Sequence, residues 1–215
     1  MQASEPFRFH SPSSIMVVGP SGCGKTVFTS KLLTSNRHLF QNPPSSVVYC
    51  YGAWQEKFKA LKRQGVKFHE GIPELHDLTK WFPEGGVLIL DDLMDEGGND
   101  KRVLDLFTKH SHHQNVTVLF LCQDIFPNGK HSKTISRNAH YMVAFKNPRD
   151  QIGFRNLAQQ CFPTKHRAVQ ERYQSVTSSH AHSGLWPSKI TFIRVLMSEH
   201  SRHSWFSSVL EQEWP

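Results

Sequence analysis

The sequence predicts an α/β fold with a mainly parallel central sheet flanked by helices. Three observations predict it. Short continuous apolar runs at 13–19 (SSIMVVG), Val47–Tyr51, Val87–Leu90 and Val116–Cys122 have the length and β-branched content of buried strands. Segments with apolar residues at helical spacing alternate with those runs. The first run also leads straight into a glycine-rich turn, the join at which a parallel sheet presents its carboxyl edge to ligands.

Each element follows in chain order. After the strand at 13–19, Lys25–Thr34 carries Phe28, Leu32 and Leu33 at helical spacing. Asn42-Pro-Pro-Ser-Ser punctuates the chain before the second strand, Val47–Tyr51. Gln55–Gln64 is polar with Phe58 and Leu61 on one face, a surface helix. Val66–His69 reads as a short strand, and Pro73–Trp81 as a short helix ended before Pro83. Val87–Leu90 is a buried strand. Lys101–His110 is a helix with Val103, Leu104, Leu106 and Phe107 on its apolar side, and Val116–Cys122 is the most apolar strand. Tyr141–Phe145 is the last clear strand of this series. Beyond Pro163 serine and histidine dominate, with little periodicity over Thr164–Ser183, although Ile190–Met197 has strand character. The expected organisation is an N-terminal extension at 1–12, one domain at 13–163 and a C-terminal extension at 164–215.

With 215 residues the chain suits one domain, or one domain with a tail. Lys and Arg total 25 against 18 Asp and Glu, a net charge of +7, and the 14 histidines add charge under mild acid. Apolar residues at 38% are enough for a packed core and exclude a disordered polyampholyte. No apolar run approaches a membrane span, and residues 1–10 carry no apolar signal core, so a soluble intracellular protein without a membrane partner is expected. Cys23, Cys50, Cys122 and Cys161 form no C-x-x-C pair and read as free thiols in a reducing compartment.

The turn after the first strand is Gly19-Pro20-Ser21-Gly22-Cys23-Gly24-Lys25-Thr26, which matches G-x-x-x-x-G-K-[ST]. That spacing serves a nucleotide. Glycines let backbone N–H groups turn inward around a phosphate, and Lys25 places a point charge on the β- and γ-phosphates. Thr26 offers a hydroxyl to Mg²⁺, and the following helix aims its positive end at the same anion. The expected ligands are ATP and Mg²⁺. The strand Val87-Leu-Ile-Leu ends in Asp91 and Asp92. At the carboxyl edge Asp91 is placed to hold Mg²⁺, and Asp92 to orient or deprotonate the attacking water, with Asp95 and Glu96 as runner-up bases. A plainer role for Asp92 is to cap the next loop. Gln123 follows the strand Val116–Cys122 at once. If that strand neighbours the Asp91 strand, its amide reaches the γ-phosphate side and positions water.

This order of motifs resembles the FtsK/HerA superfamily of DNA-pumping ATPases, P-loop NTPases with a RecA-like core. More narrowly it looks like the genome-packaging ATPases of poxviruses and of Polinton/Maverick (adintovirus-like) elements. The residues that carry the resemblance are GPSGCGKT (19–26), VLILDD (87–92), VTVLFLCQD (116–124) and SRNAHYMVAF (136–145), and it spans Ser13 to Pro163. The first motif is common to all P-loop NTPases; LILDDLM followed by a strand ending in Gln is more specific. The resemblance implies that an arginine just before the last core strand acts in trans on a neighbouring subunit's ATP, and Arg137 matches best, ahead of Arg149 and Lys133. A guanidinium there neutralises charge that builds on the transferred phosphoryl group. The resemblance further implies a hexameric ring around double-stranded DNA, capsid proteins as partners, and a place in the host nucleus, a cytoplasmic viral factory or the virion. The tail past Pro163 matches no motif of the family.

Other signals have plainer readings. His110, His112 and His113 suit a solvated helix end better than a metal site. The basic helix Lys57–Arg63 suits an ordinary charged face at least as well as contact with DNA phosphates, and Trp54 suits packing better than stacking on a base. The loop Pro127–Arg137, with Lys130, His131 and Lys133, is the best basic candidate for facing DNA or another subunit. Two other functions compete with a DNA-translocating motor. A small-molecule or nucleotide kinase shares the loop, but its lid would group arginines that are scattered here. A nucleotide-binding scaffold, or a decayed copy, would bind ATP without turnover.

Overall fold

The computed structural model describes residues 8–34, 37–93, 97–110, 114–178, 191–194 and 209–210. In chain order the elements are β1 Ser14–Val18, α1 Lys25–Thr34, β2 Val47–Tyr51, α2 Phe58–Arg63, β3 Lys67–Glu70, α3 Leu75–Trp81 and β4 Gly86–Asp91. They continue as α4 Lys101–Asp105, which widens into a π-helical turn over Leu106–His110, then β5 Val116–Cys122, α5 Ser132–Arg137, β6 Tyr141–Ala144, α6 Gln151–Cys161, α7 His166–Ser178, β7 Thr191–Arg194 and β8 Val209–Leu210. The sheet order is β3-β2-β4-β5-β1-β6-β7-β8. The six strands from β3 to β6 are parallel; β7 and β8 continue the sheet antiparallel.

Alternation along the strands splits the core into two faces. Ile15, Val17, Tyr49, Ile89, Leu119 and Leu121 face Phe28, Leu32 and Leu33 of α1 and Phe58 and Leu61 of α2. Met16, Val48, Leu88, Leu90, Val118 and Phe120 face Leu78 of α3, Val103 of α4, Ile135 of α5, and Phe154 and Leu157 of α6. Strands buried on both sides explain the unbroken apolar runs. Each fully buried Leu or Ile contributes about 1.5–3 kcal/mol, so the central strands anchor the carboxyl edge firmly.

Three segments differ from the sequence expectation. Residues 132–137, expected within a loop, form α5, whose Ile135 is fully buried. Residues 151–161 form α6, capped by the Asp150 carboxylate, which accepts from the Gly153 N–H at 2.8 Å. Residues 166–178, expected to lack periodicity, form α7, which buries Val169 and Tyr173 against the same core as α6. The polar majority of α7 hides this narrow apolar stripe. The strand expected at Ile190–Met197 appears as β7. Among the described residues no helix is long and apolar enough to cross a membrane.

Candidate nucleotide site

The parallel sheet places three strand ends side by side. β5 lies between β1 and β4, with Val18 opposite Cys122 and Leu121 opposite Asp91. The glycine-rich loop leaves β1, the two aspartates leave β4, and Gln123 leaves β5 between them. The condition set for Gln123 is met: its strand pairs directly with the Asp91 strand. The Gly19 N–H donates to the Cys122 carbonyl at 3.1 Å, so Gln123 starts one residue from the loop. Gln123 is exposed at that edge.

The loop turns as its sequence demands. Gly22 and Gly24 take φ of 77° and 105°, the left-handed side that a Cβ disfavours. The Cys23 N–H closes a turn onto the Pro20 carbonyl at 3.2 Å, and α1 begins with the Phe28 N–H on the Gly24 carbonyl at 2.8 Å. Lys25 folds back over the loop; its Nζ donates to the carbonyls of Gly19 at 2.5 Å and Pro20 at 3.1 Å. The ammonium is thus held against the loop's own backbone, in a glycine-rich turn of the kind whose amides cradle an anion.

Asp91 is the most buried charged group at the site, only 6% exposed. Period 2 explains its direction: with Val87 and Ile89 it shares the face on which α1 packs, so its carboxylate meets Thr26 at the start of α1. The Thr26 hydroxyl donates to Asp91 Oδ2 at 3.3 Å, and the Tyr49 hydroxyl donates to the same oxygen at 2.6 Å. Burial raises the Asp91 carboxyl above its ordinary value; the hydrogen bonds from Tyr49 and Thr26, and the charge of Lys57, pull it back. Tyr49 is pushed well above its ordinary value by burial and by Asp91, so its hydroxyl stays protonated and donates. A hydroxyl beside a buried carboxylate is an all-oxygen donor set, which suits a hard divalent cation.

Asp92 differs from Asp91 in every respect. It is exposed, has φ of 58°, and makes no hydrogen bond among the described residues. Its position is set by backbone: a Cβ on Gly52 would fall 2.1 Å from the Asp92 carbonyl oxygen, so only glycine fits where the end of β2 crosses the chain leaving β4. Asp95 and Glu96, the runner-up bases, lie outside the described residues. Arg137 ends α5 and is exposed. It makes no hydrogen bond or ion pair among the described residues, Lys25, Thr26 and Asp91 included. The basic loop is docked by its backbone: Lys130 N–H donates to Asn99 Oδ1 at 2.9 Å and His131 N–H to the Gly98 carbonyl at 2.9 Å, while Lys130 and Lys133 point to solvent.

The remaining signals also resolve. Cys50 and Cys122 are buried free thiols, with burial pushing Cys50 up to about 12 and Cys122 further in the same direction. Cys23 is half-buried within the loop, raised by burial and opposed by Lys25. Trp54 is 41% exposed and packs edge-on against Tyr51, Phe58 and Phe68 at 5.4–5.5 Å. His112 and His113 lie outside the described residues, as does the side chain of His110; among the described residues no cluster could hold a metal through three or more His, Cys, Asp or Glu. Sequence reasoning missed Tyr49 and Gly52. The signal for Tyr49 was a hydroxyl inside an otherwise apolar strand, two positions short of Tyr51, the strand's other tyrosine, at its end. Gly52 left none but its place after that strand.

No family model and no curated protein matches this sequence. Among solved structures the chain is similar to the genome packaging NTPase B204 from Sulfolobus turreted icosahedral virus 2. In complex with sulfate that structure gives a TM-score of 0.54 at 12% identity, covering 86% of this chain and 92% of that chain. Its complex with AMPPCP gives 0.51 at 12% identity, covering 86% and 93%, and its complex with ATP-gammaS gives 0.51 at 10% identity, covering 86% and 92%. The fold is that of a P-loop NTPase. The likeness extends past residue 163, since 86% of the chain is covered.

Proposed function

We propose that this protein is an ATP-hydrolysing motor that translocates double-stranded DNA into a viral or mobile-element capsid. One observation carries the reading: β5 is inserted between β1 and β4, so the loop 19–26, the buried Asp91–Thr26 pair and Gln123 end side by side on one sheet edge. That edge suits hydrolysis. Loop amides and Lys25 bind the β- and γ-phosphates. Thr26 and Asp91 hold Mg²⁺, which offsets charge on the phosphates. Asp92, exposed and turned out of the sheet, takes a proton from water or orients it, and the Gln123 amide places that water relative to the phosphate. Arg137, exposed and unpaired among the described residues, acts in trans across a ring interface, where it stabilises the charge of the transferred group.

The likeness to a genome packaging NTPase supports the packaging role, and the net charge of +7 supports a polyanionic partner. The narrower placement with the packaging ATPases of poxviruses and Polinton-type elements rests on the LILDDLM and Gln123 motifs. A hexameric ring, capsid partners and a site of action in the infected cell or virion belong to the same proposal. Strand displacement from a triplex on long linear DNA tests it. Displacement by wild-type protein that requires ATP and stops in Lys25→Ala supports the motor. Nucleotide binding without displacement or phosphate release supports the scaffold. Phosphoryl transfer to a nucleoside, with little free phosphate, supports a kinase.

A further inference from the structure

Charge is balanced along α3 and α4 but not along α2. Asp77 lies 3.7 Å from Lys80, Asp105 lies 4.0 Å from Lys109, and Arg102 is held by Glu74 and Asp100, each at 2.6 Å. Residues 57–67 cover α2 and the turn into β3. They hold Lys57, Lys59, Lys62, Arg63 and Lys67 and no carboxylate. All five cations are exposed. Lys59 meets Glu56 at 2.6 Å; the side chains of the other four make no hydrogen bond or ion pair among the described residues.

Helix stability does not account for these charges. Lys62 and Arg63 stand in the last turn, where the helix dipole favours a cation. Lys57 caps the first turn and Lys59 lies inside it, where the dipole opposes one, and that turn has no acidic residue. Lys62 and Arg63 also follow Lys59 by three and four positions, the spacing at which like charges repel along a helix. What holds α2 is the burial of Phe58 and Leu61 beneath it. Its place in the fold leaves the cations open to a partner. β3 is the outermost strand of the sheet, and α2 packs beside it through Phe58 and Phe68, whose rings are 5.2 Å apart. Gly65, with φ of 86°, turns the chain back, and the Val66 N–H donates to the Leu61 carbonyl at 3.2 Å. Lys67 therefore follows directly on a segment bonded to the helix end. The other end of the stripe reaches the nucleotide edge. Phe58 packs on Tyr49, whose hydroxyl donates to Asp91, and Lys57 is close enough for its charge to act on Asp91.

We propose that the cationic stripe of α2 and Lys67 is a docking surface for the phosphate backbone of double-stranded DNA. The cations follow one another along a helix and into a strand, so what they match is a row of negative charges. A duplex carries a phosphate every ~3.4 Å along each strand and meets several members of such a row at once. Lys and Arg contacts to phosphate set register and orientation without reading sequence, as a partner of arbitrary sequence requires. The inference rests on the DNA-translocation reading and gives it a surface on a packed element, distinct from the loop Pro127–Arg137.

Fluorescence anisotropy of a labelled long duplex tests it, titrated with the full chain without nucleotide at several salt concentrations. The variant Lys62→Gln, Arg63→Gln, Lys67→Gln should bind at least ~10-fold more weakly at low salt. Its slope of log affinity against log salt should be shallower by about 2–3, since each lost phosphate contact removes about 0.9. The charge-keeping variant Lys62→Arg, Arg63→Lys, Lys67→Arg should bind as wild type does. Equal loss in that variant shows a structural effect and overturns the proposal. A glutamine variant that binds as wild type does overturns the surface and leaves the DNA reading standing. A loss confined to Lys130→Gln, Lys133→Gln moves the contact to the loop and overturns it as well. Tighter binding of wild type to poly-glutamate than to the duplex assigns the stripe to an acidic protein, against the proposal. Wild-type protein that binds no duplex at any salt overturns both readings.

Discussion

Tyr49→Phe removes one oxygen from the site and nothing else. The ring keeps its packing on Phe58 at 4.8 Å and Phe68 at 5.4 Å, so the β2 core is undisturbed. What is lost is the 2.6 Å hydrogen bond to Asp91 Oδ2, the shorter of the two that this buried carboxylate accepts. A hydrogen bond to a charged group contributes about 1.5–3 kcal/mol, and outer partners of metal ligands typically set metal affinity within about 10- to 100-fold. Without Tyr49 the carboxylate retains only the 3.3 Å bond from Thr26, and that hydroxyl is itself assigned to Mg²⁺. The expected result is a rise of about 10- to 100-fold in the Mg²⁺ concentration that half-saturates ATP hydrolysis. Nucleotide affinity measured in EDTA should stay near wild type, because loop amides and Lys25 supply it. A Mg²⁺ titration of phosphate release, paired with a nucleotide displacement assay in EDTA, reads both. An unchanged Mg²⁺ midpoint would refute Tyr49 as the residue that positions Asp91, and an equal loss in EDTA would show collapse of the loop instead.

Three further outcomes are expected. Asp92→Asn keeps a residue that tolerates φ of 58°, so nucleotide affinity should hold while hydrolysis falls by about 100-fold or more, read by single-turnover phosphate release; wild-type turnover would reassign the base to Glu96. Arg137→Ala should leave the thermal midpoint and monomer nucleotide binding unchanged, since its exposed side chain makes no hydrogen bond or ion pair among the described residues, and should abolish hydrolysis only in the assembled species; mixing it with wild type should poison the rings. Asp100 caps α4 by accepting from the Arg102 N–H at 2.7 Å, and the Arg102 guanidinium holds its carboxyl below the usual 3.8. Because the folded value is depressed, this stability is present above about 3.8 and is lost as pH falls through the lower folded value. Asp100→Ala should therefore cost about 1 kcal/mol in urea unfolding at neutral pH, and the gap to wild type should close under acid.

The parallel core was legible because its strands are buried on both faces. Val87–Leu90 and Val116–Cys122 read as unbroken apolar runs, and α1 announced itself through Phe28, Leu32 and Leu33. The loop and the two aspartates were legible because their chemistry fixes their spacing. What the sequence hid depends on neighbours far along the chain. Tyr49 looks like one more apolar strand residue until β2 pairs with β4 and sets its hydroxyl against Asp91. Gly52 is informative only when the Asp92 carbonyl is seen against it. α6 and α7 are short of apolar residues because each buries a narrow stripe and leaves the rest wet. Periodicity over Thr164–Ser183 was therefore weak, although Tyr173 ties the segment to Phe145 and so to the loop. Arg137 shows the reverse limit. Its motif is readable, but the role proposed for it needs a second subunit, and among the described residues no hydrogen bond or ion pair holds it.

The central claim is that this sheet edge hydrolyses ATP in service of moving DNA. Phosphate release from Mg-ATP by size-fractionated protein, with and without long double-stranded DNA, tests it most directly. The account predicts hydrolysis stimulated by DNA, confined to a ring-sized species, lost in Lys25→Ala and weakened steeply by added salt as phosphate contacts are screened. Hydrolysis equal with and without DNA in every fraction, or nucleotide binding with no phosphate release at all, would contradict it.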